Sequence, residues 1–346
     1  MKIYQNILVV RTDRIGDVIL TTPALQALRH AFPTSRITLL VSPQTFLLVN
    51  KNPYVNEVLI DDRKKTHKGV FGFWRLVKEI RRKRFDLAII YHTKRRTNLL
   101  CFWADIPERI GYKNNKFGFL LTQPVLDERY LGKKHEAEYC LELLSHVGVH
   151  AQDKKLHVCI QEEAEQWLGQ LFKYQGIKED DCLIAVHLGA SDPSKEWPVE
   201  YFAEVINAVL KKYPCRVVLV GTDEVKALCH KVLKLVPISV LDLSGMTSLS
   251  QLASFLRSCR LLISNDSGPV HLAAGLGTPV VSIFTRNQPG INPERWRPLE
   301  PRSQVVSVPQ DTAPSFKKAG IATAEYLHNL KPDAVLEAVD AVFKLC

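Results

Sequence analysis

The order of apolar and polar positions predicts short buried strands that alternate with helices in both halves of the chain. Apolar runs such as 6–10, 37–41 and 87–91 in the first half, and 182–188 and 217–220 in the second, each lead into a polar loop. Helical patterns follow most of these loops. Continuous apolar runs of this length are typical of parallel strands covered by helices on both faces. The pattern predicts an α/β protein with two doubly wound parallel sheets.

The alternation loosens between Val149 and Lys178 and then restarts. A chain of 346 residues is long enough for two domains that each bury a core. We therefore expect a first domain over residues 1–165 and a second over residues 166–330.

The segment Leu261–Phe284, LLISNDSGPVHLAAGLGTPVVSIF, predicts a strand, a short helix and a second strand. Pro269 suits the first helical turn, and Gly277 suits the position that follows a helix end. The helix should run from Pro269 to Ala274 or Leu276.

The start of this helix is a candidate anion site. The amides of Ser267, Gly268 and Val270 should point beyond the carboxyl end of the strand, where doubly wound sheets bind phosphates. His271, in the first turn, should be held neutral by the helix dipole. The alternatives are an ordinary capped turn and a structural histidine.

Two further loops at strand ends carry polar candidates. In the loop 189–198, Ser191 offers a hydroxyl and Lys195 an ammonium that can meet a phosphate held at 267–270. The alternative is a solvated lysine. Asp223, which follows the strand 217–220, suits a ribose hydroxyl or an N-cap.

The first strand leads into a loop with two carboxylates, Asp13 and Asp17. Asp17 follows Gly16 and is a candidate general base, with an N-cap as the alternative. We expect Asp13 to be structural. The loop has a single glycine, so the GxGxxG signature of dinucleotide binding is absent.

Composition describes a globular protein, with 46% apolar and 24% charged residues. No run of 18 apolar residues and no signal-peptide core occur, which predicts a cytoplasmic protein. The eight cysteines show no CxxC pair, which argues for reduced thiols and against a structural zinc.

Positive charge is concentrated in the first half. Residues 1–150 hold 25 basic and 14 acidic side chains, and the remainder 21 and 22. Such a half suits an anionic macromolecule, either nucleic acid or an acidic membrane surface, or is simply a solvated face. The excess lies in a basic amphipathic helix at 71–84 and in loops that include Arg63, Lys64, Lys94 and Arg95. Phe73, Trp74 and Trp103 lie among them, as core residues or at a lipid headgroup interface.

Taken in order, several segments resemble glycosyltransferase family 9, the ADP-heptose:lipopolysaccharide heptosyltransferases. They are VVRTDRIGDVILTTPALQALR, NPYVNEVLIDD, FDLAIIYHTKRRTNLL, HLGASDPSKEWPVEYFAEVI, VVLVGTDEV, MTSLSQLASFL and NDSGPVHLAAGLGTPVVSIF. The chain departs from the family pattern after Phe284, where it has TRNQPG and many relatives have a sequence similar to GPT.

The resemblance implies a GT-B fold, in which two Rossmann-like domains face a central cleft. The first domain would bind the acceptor, and the last helix, 331–346, would pack against this domain. The second domain would bind the nucleotide sugar. Matched by position, the family's catalytic acid is Asp17. Its donor-binding residues correspond to Ser191, Lys195, Asp223, Thr247 (adenine packing) and the motif Asp266, Ser267, Gly268 and His271.

The resemblance also implies an inverting transfer of heptose from ADP-heptose to the inner core of lipopolysaccharide, without metal or other cofactor. The acceptor would be an anionic lipid-linked saccharide, which Arg63, Lys64, Lys94 and Arg95 would bind during transient contact with the cytoplasmic leaflet of the inner membrane. No nucleic-acid partner is expected. The nearest alternative is a GT-B transferase that uses UDP-N-acetylglucosamine on a cell-envelope saccharide. More distant ones are a nicotinamide oxidoreductase and a nucleotide- or nucleic-acid-binding protein without transferase activity.

Overall fold

The computed structural model describes residues 2–309 and 325–345, and the chain divides into two compact units, Met1–Cys159 and Ile160–Cys346. The division falls before the expected boundary at 165/166. That boundary would cut the helix Glu162–Gln175, which packs within the second unit.

The first unit is a six-stranded parallel sheet with helices. Its strands are β1 Asn6–Val10, β2 Arg36–Val41, β3 Glu57–Ile60, β4 Leu87–Ile90, β5 Glu108–Tyr112 and β6 Gln123–Val125. Its α-helices are α1 Ile15–Ala31, α2 Gly69–Arg82, α3 Arg95–Trp103 and α4 Glu136–Ser145. Helix α4 packs along α1, so residues far apart in sequence meet beside β1.

The second unit repeats this architecture. Its strands are β7 Cys182–His187, β8 Cys215–Leu219, β9 Leu241–Asp242, β10 Leu261–Asn265, β11 Val280–Phe284 and β12 Gln304–Ser307. Its α-helices are α5 Glu162–Gln175, α6 Val199–Lys212, α7 Lys226–Leu233, α8 Leu249–Arg257, α9 Gly268–Gly275, α10 Pro293–Trp296 and α11 Pro332–Leu345. The two doubly wound sheets expected from the hydrophobic pattern are thus confirmed.

Both sheets share one strand order, which locates the crevice where such sheets bind ligands. The orders are β3-β2-β1-β4-β5-β6 and β12-β11-β10-β7-β8-β9. In each sheet the chain starts in the middle, builds one side, and then returns to build the other. The loops after β1 and β4, and after β7 and β10, therefore diverge and open a crevice at the carboxyl ends of the strands.

The segment 261–284 folds as predicted. Helix α9 lies between β10 and β11, with Pro269 in its first turn. Gly277 has a φ of +82°, a left-handed conformation that favours glycine and lets the chain turn directly into β11.

The last helix differs from expectation. Helix α11 packs in the core of the second unit, where Val335, Val339 and Val342 are fully buried with Val281 and Ile283 of β11. The valines recur at helical spacing and suit any apolar face, so the sequence did not distinguish between the two sheets. No helix of the described residues is long and apolar enough to cross a membrane.

Candidate active site

A buried cluster of one arginine and three carboxylates lies where β1 ends. Arg11 directly follows β1 and is 1% exposed. Its Nε lies 3.1 Å from Asp13 Oδ1, and its Nη2 donates to Glu136 Oε1 at 3.0 Å and to Asp17 Oδ1. Asp17 is in the first turn of α1, so α1 and α4 together bring these side chains to the crevice of the first sheet.

The cluster holds more acidic than basic side chains, and this affects the pKa of Asp17. Burial, together with the charges of Asp13 and Glu136, raises the pKa of Asp17 to about 6 against the opposing charge of Arg11. Burial also raises the pKa of Asp13. A carboxyl group with a pKa near the working pH is suited to accept a proton.

A neutral histidine completes this end of the first sheet. His92 follows β4, and its Nδ1 lies 3.0 Å from Thr12 Oγ1. Burial, together with the charges of Arg11 and Arg63, lowers the pKa of His92 to about 3. The ring is therefore uncharged and can hydrogen-bond without adding positive charge beside the carboxylates.

The four basic residues expected to bind the acceptor differ in their surroundings. Arg63 donates to Thr12 Oγ1 at 2.9 Å and to Asp61 at 2.9 Å, so it is held beside the β1 loop. Lys94, at the N-terminus of α3, contacts the Lys116 ammonium, which lowers the pKa of Lys94.

The other two are less tightly placed. The guanidinium of Arg95 lies 5.9 Å from the centre of the Phe117 ring. Lys64 is exposed, and its backbone amide bonds to Asp62.

In the second unit, the loops after β7 and β10 are fastened together. Asn265 donates through Nδ2 to the Leu188 carbonyl at 2.6 Å and accepts from the Trp197 amide at 3.1 Å. Between these anchors, Lys195 forms an ion pair with Asp266, and both side chains are largely buried. The predicted lysine and the predicted acidic motif are thus in direct contact.

The start of α9 is bonded to the end of β7 rather than left open throughout. The Ser267 hydroxyl lies 3.2 Å from His187 Nδ1 and 3.1 Å from Ser264 Oγ. Burial lowers the pKa of His187 to about 4. The Val270 amide, expected to be available to an anion, donates to the Ser267 carbonyl at 3.1 Å. That expectation was wrong because this first-turn bond uses the amide.

His271, in the first turn of α9, is buried, and its ring centre lies 6.1 Å from that of Trp296. Gly268 begins the helix, as the motif requires.

The remaining donor candidates lie at neighbouring strand ends. Ser191 is exposed in the loop after β7. Asp223 follows β8, is 78% exposed, and pairs with Lys226 at 2.7 Å. It does not cap α7, whose N-cap is Val225. Thr247 is half-buried directly before the N-cap of α8.

Several site residues were missed by sequence reasoning. The sequence did not show that Arg11, Glu136 and Arg129 belong together, because the packing of α4 on α1 brings them close. Arg129 Nη1 lies 3.6 Å from Glu136 Oε1. The sequence contained an indication of Arg286, because this residue lies in the TRNQPG segment that departs from the family pattern. Its Nη1 lies 2.8 Å from Ser194 Oγ, so it brings a second cation to the Lys195 loop.

A metal centre is not evident in residues 2–309 and 325–345, where no three His, Cys, Asp or Glu side chains are grouped closely enough to hold an ion.

Two doubly wound parallel sheets make this an α/β protein, and its structural neighbours are GT-B heptosyltransferases. The family described as glycosyltransferase family 9 (heptosyltransferase) matches residues 73–324, so the chain belongs to this family and is a glycosyltransferase.

Relatives agree with this assignment over nearly the whole chain. A lipopolysaccharide core heptosyltransferase, OpsX, of Haemophilus influenzae is 24% identical over 320 residues, covering 89% of this chain and 86% of the relative. The crystal structure of a family 9 glycosyltransferase from Veillonella parvula is 26% identical with a TM-score of 0.86, covering 100% and 99% of the two chains. The ADP-heptose lipopolysaccharide heptosyltransferase II of E. coli is 22% identical with a TM-score of 0.78, covering 99% of each chain, and supports the fold.

Proposed function

We propose that the protein is an inverting, metal-independent heptosyltransferase that moves heptose from ADP-heptose to the inner core of lipopolysaccharide. The Asp17 carboxyl, which lies in the first turn of α1 and whose pKa burial raises to about 6, is the observation that carries the proposal. Family membership and the names of the relatives support the choice of sugar and acceptor.

The second unit binds the donor. The pyrophosphate competes with Asp266 for the Lys195 ammonium, while Arg286 supplies a second positive charge. The start of α9 adds the positive end of a helix dipole. Ser191 and Asp223 serve the phosphate and the ribose, and Thr247 packs against the adenine. These cations neutralise the leaving ADP, so the mechanism does not require a divalent ion.

The first unit supplies the base. Ionised Asp17 removes the proton from an acceptor hydroxyl while the oxygen of that hydroxyl attacks the anomeric carbon of the heptose. The bond from that carbon to the phosphate oxygen breaks, and ADP leaves with the bonding pair. Attack from the opposite face inverts the configuration, as with a single-base glycosidase in which water is replaced by a sugar hydroxyl.

Arg11 is a positioning residue, because it fixes the Asp17 carboxylate through its guanidinium. Arg63, Lys64, Lys94 and Arg95 bind the anionic acceptor, a lipid-linked saccharide at the cytoplasmic leaflet.

Turnover of Asp17→Asn tests the role of the base. We expect a loss of about 10²- to 10⁴-fold, the range for removal of a general base. Activity within a few-fold of the parent would remove Asp17 from this role.

The nucleotide is tested separately by the shift in melting temperature with ADP and with UDP. ADP should stabilise the second unit, since ligands that bind only the folded state raise its stability. Stabilisation by UDP alone would favour the UDP-N-acetylglucosamine transferase.

A further inference from the structure

Helix α2 carries two different faces, and only one is used by the fold. The inner face packs into the core beneath the first sheet through Phe73, Leu76, Val77 and Ile80. The outer face is exposed and has the spacing i, i+3, i+4, i+7 and i+11, with Phe71, Trp74, Arg75, Lys78 and Arg82. Large aromatic side chains on an outer face are not explained by the packing of the unit.

The aromatic side chains form one patch with the end of α3. Phe71 is 92% exposed, and Trp74 and Trp103 are 39% and 46% exposed with ring centres 5.3 Å apart. Phe102, also exposed, lies 5.5 Å from Trp103. Single exposed apolar residues are ordinary, but a contiguous group of this kind marks an interaction surface.

The segment that contains α2 is strongly basic. Residues 63–84 contain ten basic side chains and one acidic side chain, Glu79, a net charge of +9 in a chain of net charge +10. On the outer face, Arg75, Lys78 and Arg82 continue the line begun by Phe71 and Trp74. None of these three is among the residues proposed to bind the acceptor.

We propose that the outer face of α2, together with Phe102 and Trp103 of α3, docks the protein onto an anionic lipid bilayer. Aromatic rings favour the headgroup level, and flanking Lys and Arg are attracted to acidic lipids. The three cations of this face lie in a segment, residues 63–84, that holds a single acidic side chain, and such a surface of one sign complements acidic headgroups. The inner face keeps α2 attached to the sheet, so the helix lies along the surface and does not insert. The purpose rests on the proposed function, because a lipid-linked acceptor is found at such a surface.

Binding of the full chain to vesicles tests the proposal without depending on turnover. We expect binding to phosphatidylcholine vesicles that contain roughly one-third phosphatidylglycerol, and weak binding without the acidic lipid. Arg75→Gln, Lys78→Gln and Arg82→Gln combined should lower the partition coefficient roughly 100-fold, about fivefold for each charge. Phe71→Ser should lower it about tenfold.

Matched variants in the second unit control for charge and apolar area. Lys173→Gln, Lys231→Gln and Lys234→Gln remove the same charge from exposed positions, and Ile238→Ser removes an exposed apolar side chain. These variants should bind as the parent does. Equal losses in both sets, or parental binding by the α2 variants, would overturn the proposal. Binding to duplex DNA that depends on these charges, with no binding to vesicles, would also overturn it. So would self-association through Phe71, if it made the protein sediment without vesicles.

A delipidated, water-soluble acceptor separates this proposal from the proposed function. The α2 variants should retain parental turnover on that acceptor and lose it on the vesicle-borne one. If neither the parent nor the variants transfer heptose, the proposed function fails, and vesicle binding still tests the docking surface. A loss of turnover on the soluble acceptor would show that α2 also acts on the site itself and would contradict a role confined to docking.

Discussion

Replacing Asp17 with asparagine should stabilise the first unit while it removes activity. Burial raises the pKa of Asp17 from 3.8 to about 6, so the folded protein holds this proton more tightly than the unfolded chain does. The ionised carboxylate therefore costs about 3 kcal/mol of unfolding free energy above pH 6, and this cost disappears below pH 4. Asparagine resembles the neutral acid, keeps its size, and avoids the cost.

The size of the effect can be measured by melting the parent and Asp17→Asn between pH 4 and pH 8. For a unit of this length, 1 kcal/mol shifts the melting temperature by roughly 2–4 °C, which predicts a gain of about 6–12 °C at pH 8. The gap should close toward pH 4. Since two units need not unfold together, hydrogen exchange of peptides from β1 and α1 should follow the same trend.

Glu128→Gln, at an exposed position of the same unit, is the control and should leave the melting temperature almost unchanged. A variant that is less stable than the parent at pH 8, or equally shifted at pH 4 and pH 8, would refute the electrostatic account. A merely structural Asp17 would lose stability and activity together. A catalytic Asp17 loses activity and gains stability, a common trade-off at active sites.

The remaining predictions concern the pH profile, donor binding and metal. Below pH 6, kcat/KM should fall about tenfold per pH unit as Asp17 is protonated, and a flat profile from pH 5 to 8 would contradict the role of the base. Lys195→Ala should raise the Kd for ADP by roughly 10- to 100-fold in calorimetric titration, since hydrogen bonds to charged groups are worth about 1.5–3 kcal/mol, and an unchanged Kd would remove Lys195 from the site. Gly245→Ala should weaken ADP binding but not pyrophosphate binding, because Gly245 has a φ of +65° and a new Cβ would clash with Asp223 Oδ1. Equal loss for both ligands would exclude Asp223 as the ribose ligand. Turnover should survive chelation of divalent ions, and a loss restored by Mg²⁺ would contradict the metal-independent mechanism.

The two doubly wound parallel sheets and the ends of α9 were within reach of sequence reasoning. Buried parallel strands read as unbroken apolar runs, and Pro269 and Gly277 mark the ends of α9 through their backbone chemistry. These signals are local, so they survive without knowledge of the rest of the fold.

The Arg11 cluster was beyond reach because its parts are distant in sequence. Glu136 meets Arg11 across 125 positions, and only the packing of α4 on α1 brings them together. Local composition gives no sign of this contact. The side of the molecule to which α11 belongs was hidden for a related reason, since an apolar helical face fits any sheet.

The exposure of aromatic residues also needed the structure. Phe73, Trp74 and Trp103 look alike in sequence, yet Phe73 packs against the core while the two tryptophans are exposed. Helical spacing alone does not determine which face of α2 meets the sheet, because both faces carry aromatic rings.

The most direct test of the central claim is a mass-spectrometric product assay with ADP-heptose and a defined lipid-linked inner-core acceptor. The account predicts that the acceptor gains the mass of one heptose with release of one ADP, and that Asp17→Asn forms this product far more slowly. An acceptor left unchanged by ADP-heptose but modified by UDP-N-acetylglucosamine would contradict it.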